Sequence, residues 1–201
     1  SNIDKKYGMY VAAPIQSETI AARLKQFPAE KLLIVDRYLF LGKHYSYITQ
    51  EFEQTTYNKL TDLLPQFQKY ENLILFYRED AAYPVGIRMG IERFVRENGL
   101  EGSISPSYEP NTLQKGNAYI FIGDNNLFLL LKDCIEQQYT LGRDVGVIAH
   151  NDNLAKGLLS GGITTISANF KEMALAAASS ILEKTPIQQI VPTKLMRRKS
   201  L

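Results

Sequence analysis

The sequence predicts an α/β protein built on parallel, doubly wound sheet. Three observations carry that prediction. Short apolar runs recur along the chain, among them Leu32–Val35, Leu73–Phe76 and Val145–Ala149, with helix-period stretches between them. The runs are continuously apolar instead of alternating, as expected of strands covered on both faces. Several of them empty into polar clusters, where an open parallel sheet holds its ligands.

Taken in order, Tyr7–Ala13 reads as a strand ended by Pro14. Ser17–Phe27 carries Ile20, Ala21, Leu24 and Phe27 at the helix period, with Ser17 as N-cap and Pro28 closing it. Leu32–Val35 is a strand that exits at Asp36-Arg37, and Tyr45–Thr49 is a third extended piece. Gln50 to Tyr70 reads as one long amphipathic helix, with Pro65 threatening a kink or an early end. Leu73–Phe76 is a strand with Arg78-Glu-Asp80 in its exit loop. Pro84 starts a helix over Val85–Glu97, stopped by Asn98-Gly99. Ser103–Gly116 is a polar connection with room for a short strand. Asn117–Ile122 is a strand opening into Gly123-Asp-Asn-Asn126, and Leu127–Tyr139 a helix. Val145–Ala149 and Ile163–Ile166 are strands separated by a helical turn and the Gly161-Gly162 break. Lys171–Glu183 is an alanine-rich helix, and Pro192–Leu201 an edge strand or tail.

Composition narrows the function classes. With 201 residues, 45% hydrophobic and 22% charged, the chain suits one large domain or two small lobes. A net charge of +2 without a basic run marks no DNA-reading face. The single cysteine, Cys134, excludes an internal disulfide and suits a reducing interior. No apolar run reaches the roughly 20 residues of a membrane span, so no membrane partner is expected. Phosphate-loop, dinucleotide and nucleophile-elbow motifs are absent. His44 and His150 have no ligand-spaced companions, so neither a metal nor another cofactor is expected. Asp36, Asp80, Asp124 and Asp152 all fall at strand ends, an arrangement as common in non-catalytic α/β folds as in enzymes.

The densest candidate site is the stretch Arg143–Phe170. Its two strand exits deliver Asn151, Asp152 and then Asn169 and Phe170. Amides and carboxylates suit the vicinal hydroxyls of a sugar, and an aromatic ring covers its C–H face. The same residues also fit a polar loop beside a core phenylalanine. Asp36 is likewise either a ligand group or half of an ion pair with Arg37.

The run LGRDVGVIAHNDN, GGITTISANFKEMALAAASSIL and PTKLMRRKSL resembles the C-terminal half of the effector-binding domain of LacI/GalR-type repressors. GMYVAAP, KLLIVDR, GIRMGIERFVRENGL and NAYIFIGDNNLFLL fit earlier parts of that domain. GGITTIS and RRKSL are closest in wording to a GntR-type regulator with a LacI-like sensor domain. The resemblance implies a periplasmic-binding-protein-like type I fold, two doubly wound lobes joined by three crossings with a sugar between them. It implies lobes at 1–47 with 168–188 and at 48–167 with 189–201, the first truncated at its amino end. It implies a homodimer, with DNA engaged only through a separate, absent domain, a cytoplasmic location and no enzymatic activity. As ligand-binding residues it implies Asp36, Asp124, Asn151, Asp152 and Phe170. The family's sugar-clamping arginine would fall on Val85, so only Arg88, in another register, stands near that place. Gly123 replaces the family's asparagine, and Asn151 the first acid of its paired-acid turn. An exported sugar-binding protein of the same fold is the alternative.

Overall fold

The computed structural model describes residues 7–201. The chain divides into two compact units. Unit 1 takes the residues up to Glu51 together with Ala168–Thr193, and unit 2 takes Phe52–Ser167 together with Lys194–Leu201.

Unit 1 is built on strands β1 (Tyr10–Ala12), β2 (Leu32–Arg37), β3 (Ser46–Gln50) and β9 (Gln188–Ile190), in the order β1-β2-β3-β9 with every pairing parallel. Alternate residues of β2 feed two apolar layers. Leu33 and Val35 join Ile48 and Val191 against Met173, Ala176 and Ile181 of helix α7 (Phe170–Glu183). Leu32 and Ile34 face Leu41, Tyr10 and the Ala21, Leu24 and Phe27 stripe at helix α1 (Glu18–Leu24). Ser17 caps α1 as expected, its hydroxyl accepting from the Ile20 amide.

Unit 2 is a six-stranded sheet ordered β10-β8-β7-β6-β4-β5. Its strands are β4 (Asn72–Phe76), β5 (Glu101–Ser105), β6 (Asn117–Phe121), β7 (Gly146–His150), β8 (Thr164–Ala168, its last residue counted with unit 1) and β10 (Thr193–Met196, beginning in unit 1). The β4–β5, β4–β6, β6–β7 and β7–β8 pairs are parallel. Period-two alternation divides the apolar residues between two faces. Leu73, Leu75, Ala118, Ile120 and Ile148 meet helices α2 (Glu53–Thr61), α3 (Leu64–Phe67) and α4 (Val85–Glu97) on one side. Tyr119, Phe121, Val147 and Ala149 meet helix α5 (Asp124–Glu136) on the other. Helices α2 and α4 cross closely at Gly90, where a Cβ would lie 2.5 Å from the Glu53 carbonyl oxygen, so only glycine fits. Because β4 leads outward to β5 while β6 leads on to β7, the strand order reverses between β4 and β6. Such a switch point is where a doubly wound sheet opens a crevice at its carboxyl ends.

Several boundaries differ from the sequence expectation. The amphipathic stretch over Gln50–Tyr70 breaks at Asp62-Leu63, beside the Pro65 that threatens a kink there, and Pro65 lies in the first turn of α3. Gln50 itself ends strand β3. Helix α5 begins at Asp124, three residues earlier than the apolar pattern indicates, because Asp124, Asn125 and Asn126 form its first turn. Among the described residues no helix is long and apolar enough to cross a membrane.

Candidate ligand-binding site

In unit 2 the exits of β6 and β7 are tied together by one buried cation. Helix α6 (Leu154–Leu158) is capped by Asn153, whose side chain accepts from the Lys156 amide. The cap turns Lys156 inward, where it is 1% exposed. Its ammonium donates to the carbonyls of His150 (2.8 Å) and Asn151 (2.7 Å) and lies 2.7 Å from Asp124 Oδ1. Asp124 also accepts from Asn153 Nδ2 and sits in the first turn of α5, where a negative charge meets the positive helix end. A buried ammonium is tolerable only with its donors used, and here all three are.

Asn151 leaves β7 in the left-handed region, at φ 59°. Its backbone amide donates to the Ile166 carbonyl and its own carbonyl is held by Lys156. The residue is exposed, and its side-chain amide has no hydrogen bond to any described residue. The backbone is fixed while the amide stays open.

Asp152 is engaged differently. Arg198, from the C-terminal segment, forms a two-pronged bond to its carboxylate at 2.7 and 2.8 Å, and Thr165 donates to it at 2.9 Å. The Arg198 guanidinium, and less strongly Thr165, hold the Asp152 carboxyl below the usual carboxylate range despite partial burial. Ser200 continues the same stitching. Its hydroxyl donates to the Val147 carbonyl and accepts from the Thr164 amide.

Arg88 does not join these groups. It lies on α4, paired with Glu79 and, at 2.7 Å, with Glu92, and sits over the Tyr77 ring. Val85, at the start of that helix, is exposed. A cavity of about 640 Å³ lies at the ends of β4 and β5, lined by Tyr77, Arg78, Glu79, Asp80, Ile104, Pro106 and Ser107.

In unit 1, Asp36 sits at the end of β2 at φ 68°. Its carboxylate accepts from Gln50 Nε2 at 2.6 Å and lies 3.7 Å from Arg37. The local ion pair weighed from sequence is present, with Gln50 the tighter partner. Phe170 opens α7 with its ring 43% exposed. Asn169 caps that helix by accepting from the Glu172 amide, while its Nδ2 donates back to the Glu172 carboxylate.

Two side chains that often serve in catalysis are held in unreactive forms. Burial pushes the Cys134 thiol up to about 12, and the neighbouring Asp133 adds to the effect, so it is inert at neutral pH. Burial, with a smaller push from Lys156, lowers His150 to about 4, and its Nε2 is buried without a partner. Among the described residues no group of three or more His, Cys, Asp or Glu is placed to hold a metal.

Two parallel-sheet units of this kind define the periplasmic-binding-protein-like type I fold. The chain belongs to the family of the periplasmic binding protein-like domain, whose profile matches residues 48–201. Solved structures share the fold. The Escherichia coli transcriptional repressor ascG superposes with a TM-score of 0.76 at 15% identity, over 98% of this chain and 79% of its own. A LacI family transcriptional regulator from Lactobacillus casei with bound glucose gives 0.73 at 16%, over 96% and 78%. The LacI family regulator CCPA from Weissella paramesenteroides with bound sucrose gives 0.73 at 16%, over 96% and 77%. Among curated proteins, none matches this chain in sequence.

Lys156, Arg198 and Gln50 escape the sequence reading. Lys156 carries a weak signal, a lysine in an apolar turn just after an asparagine cap. Arg198 lies far along the chain from Asp152, and nothing local announces their pairing.

Proposed function

We propose that this chain is the effector-sensing domain of a bacterial transcriptional regulator, binding a small polyhydroxylated molecule of the sugar class. The exit of β7 carries the reading. There a buried ammonium fixes two backbone carbonyls, so that the Asn151 backbone is held while its side-chain amide is left free. An unspent amide on a fixed backbone can bind hydroxyl groups without first giving up a bond within the protein, and only its side-chain torsions remain to be ordered. Asp124 and Asn153 border the same exit. The absence of an activated nucleophile at Cys134 and the low proton affinity of His150 support binding over catalysis.

On this reading the ligand acts by binding two states of the protein unequally and thereby changes DNA affinity through a separate domain. The regulator is cytoplasmic and dimeric, and the wording of GGITTIS and RRKSL favours a GntR-type reader. The sugar-bound regulators of the same fold lend the ligand class support.

The test is a thermal-shift screen against monosaccharides and disaccharides, with Asn151→Ala and Phe170→Ala alongside. A ligand at a hundred times its Kd stabilises the native state by about 2.7 kcal/mol. One sugar class should raise the midpoint of the unaltered protein and of neither variant. A flat response across the panel overturns the sugar reading.

A further inference from the structure

The switch point between β4 and β6 is filled by a residue that no motif announces. Tyr83 lies in the loop between β4 and α4, immediately before Pro84. Its hydroxyl stands over Gly123, the residue that follows the β6 exit and caps α5. A Cβ built on Gly123 would come within 2.5 Å of the Tyr83 oxygen and 3.6 Å of its Cζ. The backbone at Gly123, φ −100° and ψ 145°, is ordinary extended geometry open to any residue. It is the Tyr83 phenol where it now stands, and not the turn, that leaves no room for a side chain there; a larger residue would have to push the phenol aside. The substitution also leaves α5 without a side-chain cap, a position where Ser, Thr, Asp or Asn usually stands.

The phenol is held in place from behind. The Tyr83 amide donates to Ala81, its carbonyl accepts from the Tyr77 hydroxyl, and the two rings lie 5.9 Å apart in a tilted pair. Its own hydroxyl has no hydrogen bond to any described residue. A polar group so placed, at the crevice of a doubly wound sheet and with its bonds unspent, is a ligand contact in waiting.

We propose that Tyr83 is a specificity-determining residue of the ligand site, its phenol occupying the space that a side chain on residue 123 would otherwise take. The inference rests on the effector-binding reading above. A phenol offers one hydroxyl beside an apolar ring edge, where an amide would offer two donors and an acceptor. It selects a sugar that presents a single hydroxyl next to a C–H face at the β4 and β6 exits.

The experiment is calorimetric titration of glucose, galactose, fucose, ribose and sucrose into the unaltered protein, Tyr83→Phe, and the double variant Tyr83→Ala with Gly123→Asn. Tyr83→Phe keeps the ring and should melt like the parent, while the preferred sugar binds about tenfold more weakly, the worth of one hydrogen bond. The double variant, which moves the polar group from residue 83 to residue 123, should change the rank order of the sugars. If the unaltered protein binds a sugar and both variants keep its affinity and rank order, Tyr83 plays no part and the effector reading survives. If the unaltered protein binds none of the five, the sugar reading falls and this inference with it.

Discussion

The exits of β7 and β2 meet the same problem in opposite ways. Each exit has a non-glycine residue in the left-handed region, Asn151 just after β7 at φ 59° and Asp36 one residue before the end of β2 at φ 68°. Asx residues tolerate that conformation better than other side chains. At β7 the backbone is clamped, by the buried Lys156 ammonium on two carbonyls, and the side chain is left free. At β2 the side chain is clamped, by Gln50 and Arg37, in a setting where both charged groups remain more than a quarter exposed. A ligand reaching Asn151 meets an unspent amide, whereas one reaching Asp36 must displace or share Gln50. The β7 exit is thus the stronger candidate for direct recognition, and the β2 exit the one whose partners a ligand would have to rearrange.

The largest expected effect separates the two exits at once. Lys156→Ala strands two carbonyls and leaves a cavity where its stem lay, while Asp124, 37% exposed, can turn to solvent, so the loss should be roughly 2–4 kcal/mol, mostly from the unsatisfied carbonyls. Gln50→Ala, which removes a part-buried hydrogen bond to a carboxylate that still reaches solvent, should cost roughly 1 kcal/mol. Urea unfolding of both variants measures the gap. Equal losses would mean that the clamp at β7 is no more deeply built than the contact at β2.

Acid should also distinguish the exits, because His150 precedes Asn151 and has no counterpart at β2. An unfolded histidine titrates near 6.5. In the fold, burial and the Lys156 charge lower His150 to about 4. Between those values only the unfolded chain takes up the proton, so stability is full above about pH 6.5 and falls as the pH drops toward 4. The loss reaches about 2 kcal/mol by pH 5. The carboxylates held down by partners, Asp152 with Arg198 among them, lose their contribution only at lower pH. His150→Phe should flatten the profile between pH 6.5 and 5. A variant that keeps the full slope would assign it to another group.

What the sequence reveals follows the same division between buried and exposed. β2, β6, β7 and β8 are legible because both faces of their sheets are covered, which demands unbroken apolar runs such as Leu32–Val35 and Val145–Ala149. β5, with Glu101, Gly102 and Ser103, is an exposed edge strand and has no such pattern. β9, with two glutamines in three residues, closes an edge by backbone pairing and by the Gln188 amide, which donates to the Lys43 and Tyr45 carbonyls, so it too lacks an apolar pattern. Gln50 looks helical in a polar stretch, yet its place is set by the Asp36 carboxylate on a neighbouring strand. At the candidate site, Asn151 and Asp152 stand out as polar residues after an apolar strand. Their environments depend on Lys156 from the next helix and on Arg198 from the end of the chain, contacts made by the fold and written in no local spacing. Gly123 is legible only as a departure from the family wording, and the Tyr83 hydroxyl that stands over it appears only in three dimensions.

The smallest effect concerns what the two exits share. A left-handed residue other than glycine carries backbone strain of about 1 kcal/mol, and glycine carries none. At position 36, Ala and Gly both lose the carboxylate, so the difference between Asp36→Ala and Asp36→Gly isolates the backbone. The same holds for Asn151→Ala against Asn151→Gly. Each pair should differ by about 1 kcal/mol in urea unfolding, with the glycine variant the more stable. The absolute losses should diverge, because Asp36 surrenders its bond to Gln50 while Asn151 surrenders none. Asn151→Gly should therefore unfold close to the parent even as it loses sugar binding, and Asp36→Gly should be weaker than the parent with or without ligand. A stable Asn151→Gly protein that still binds would show that the free amide at the β7 exit is not a recognition group.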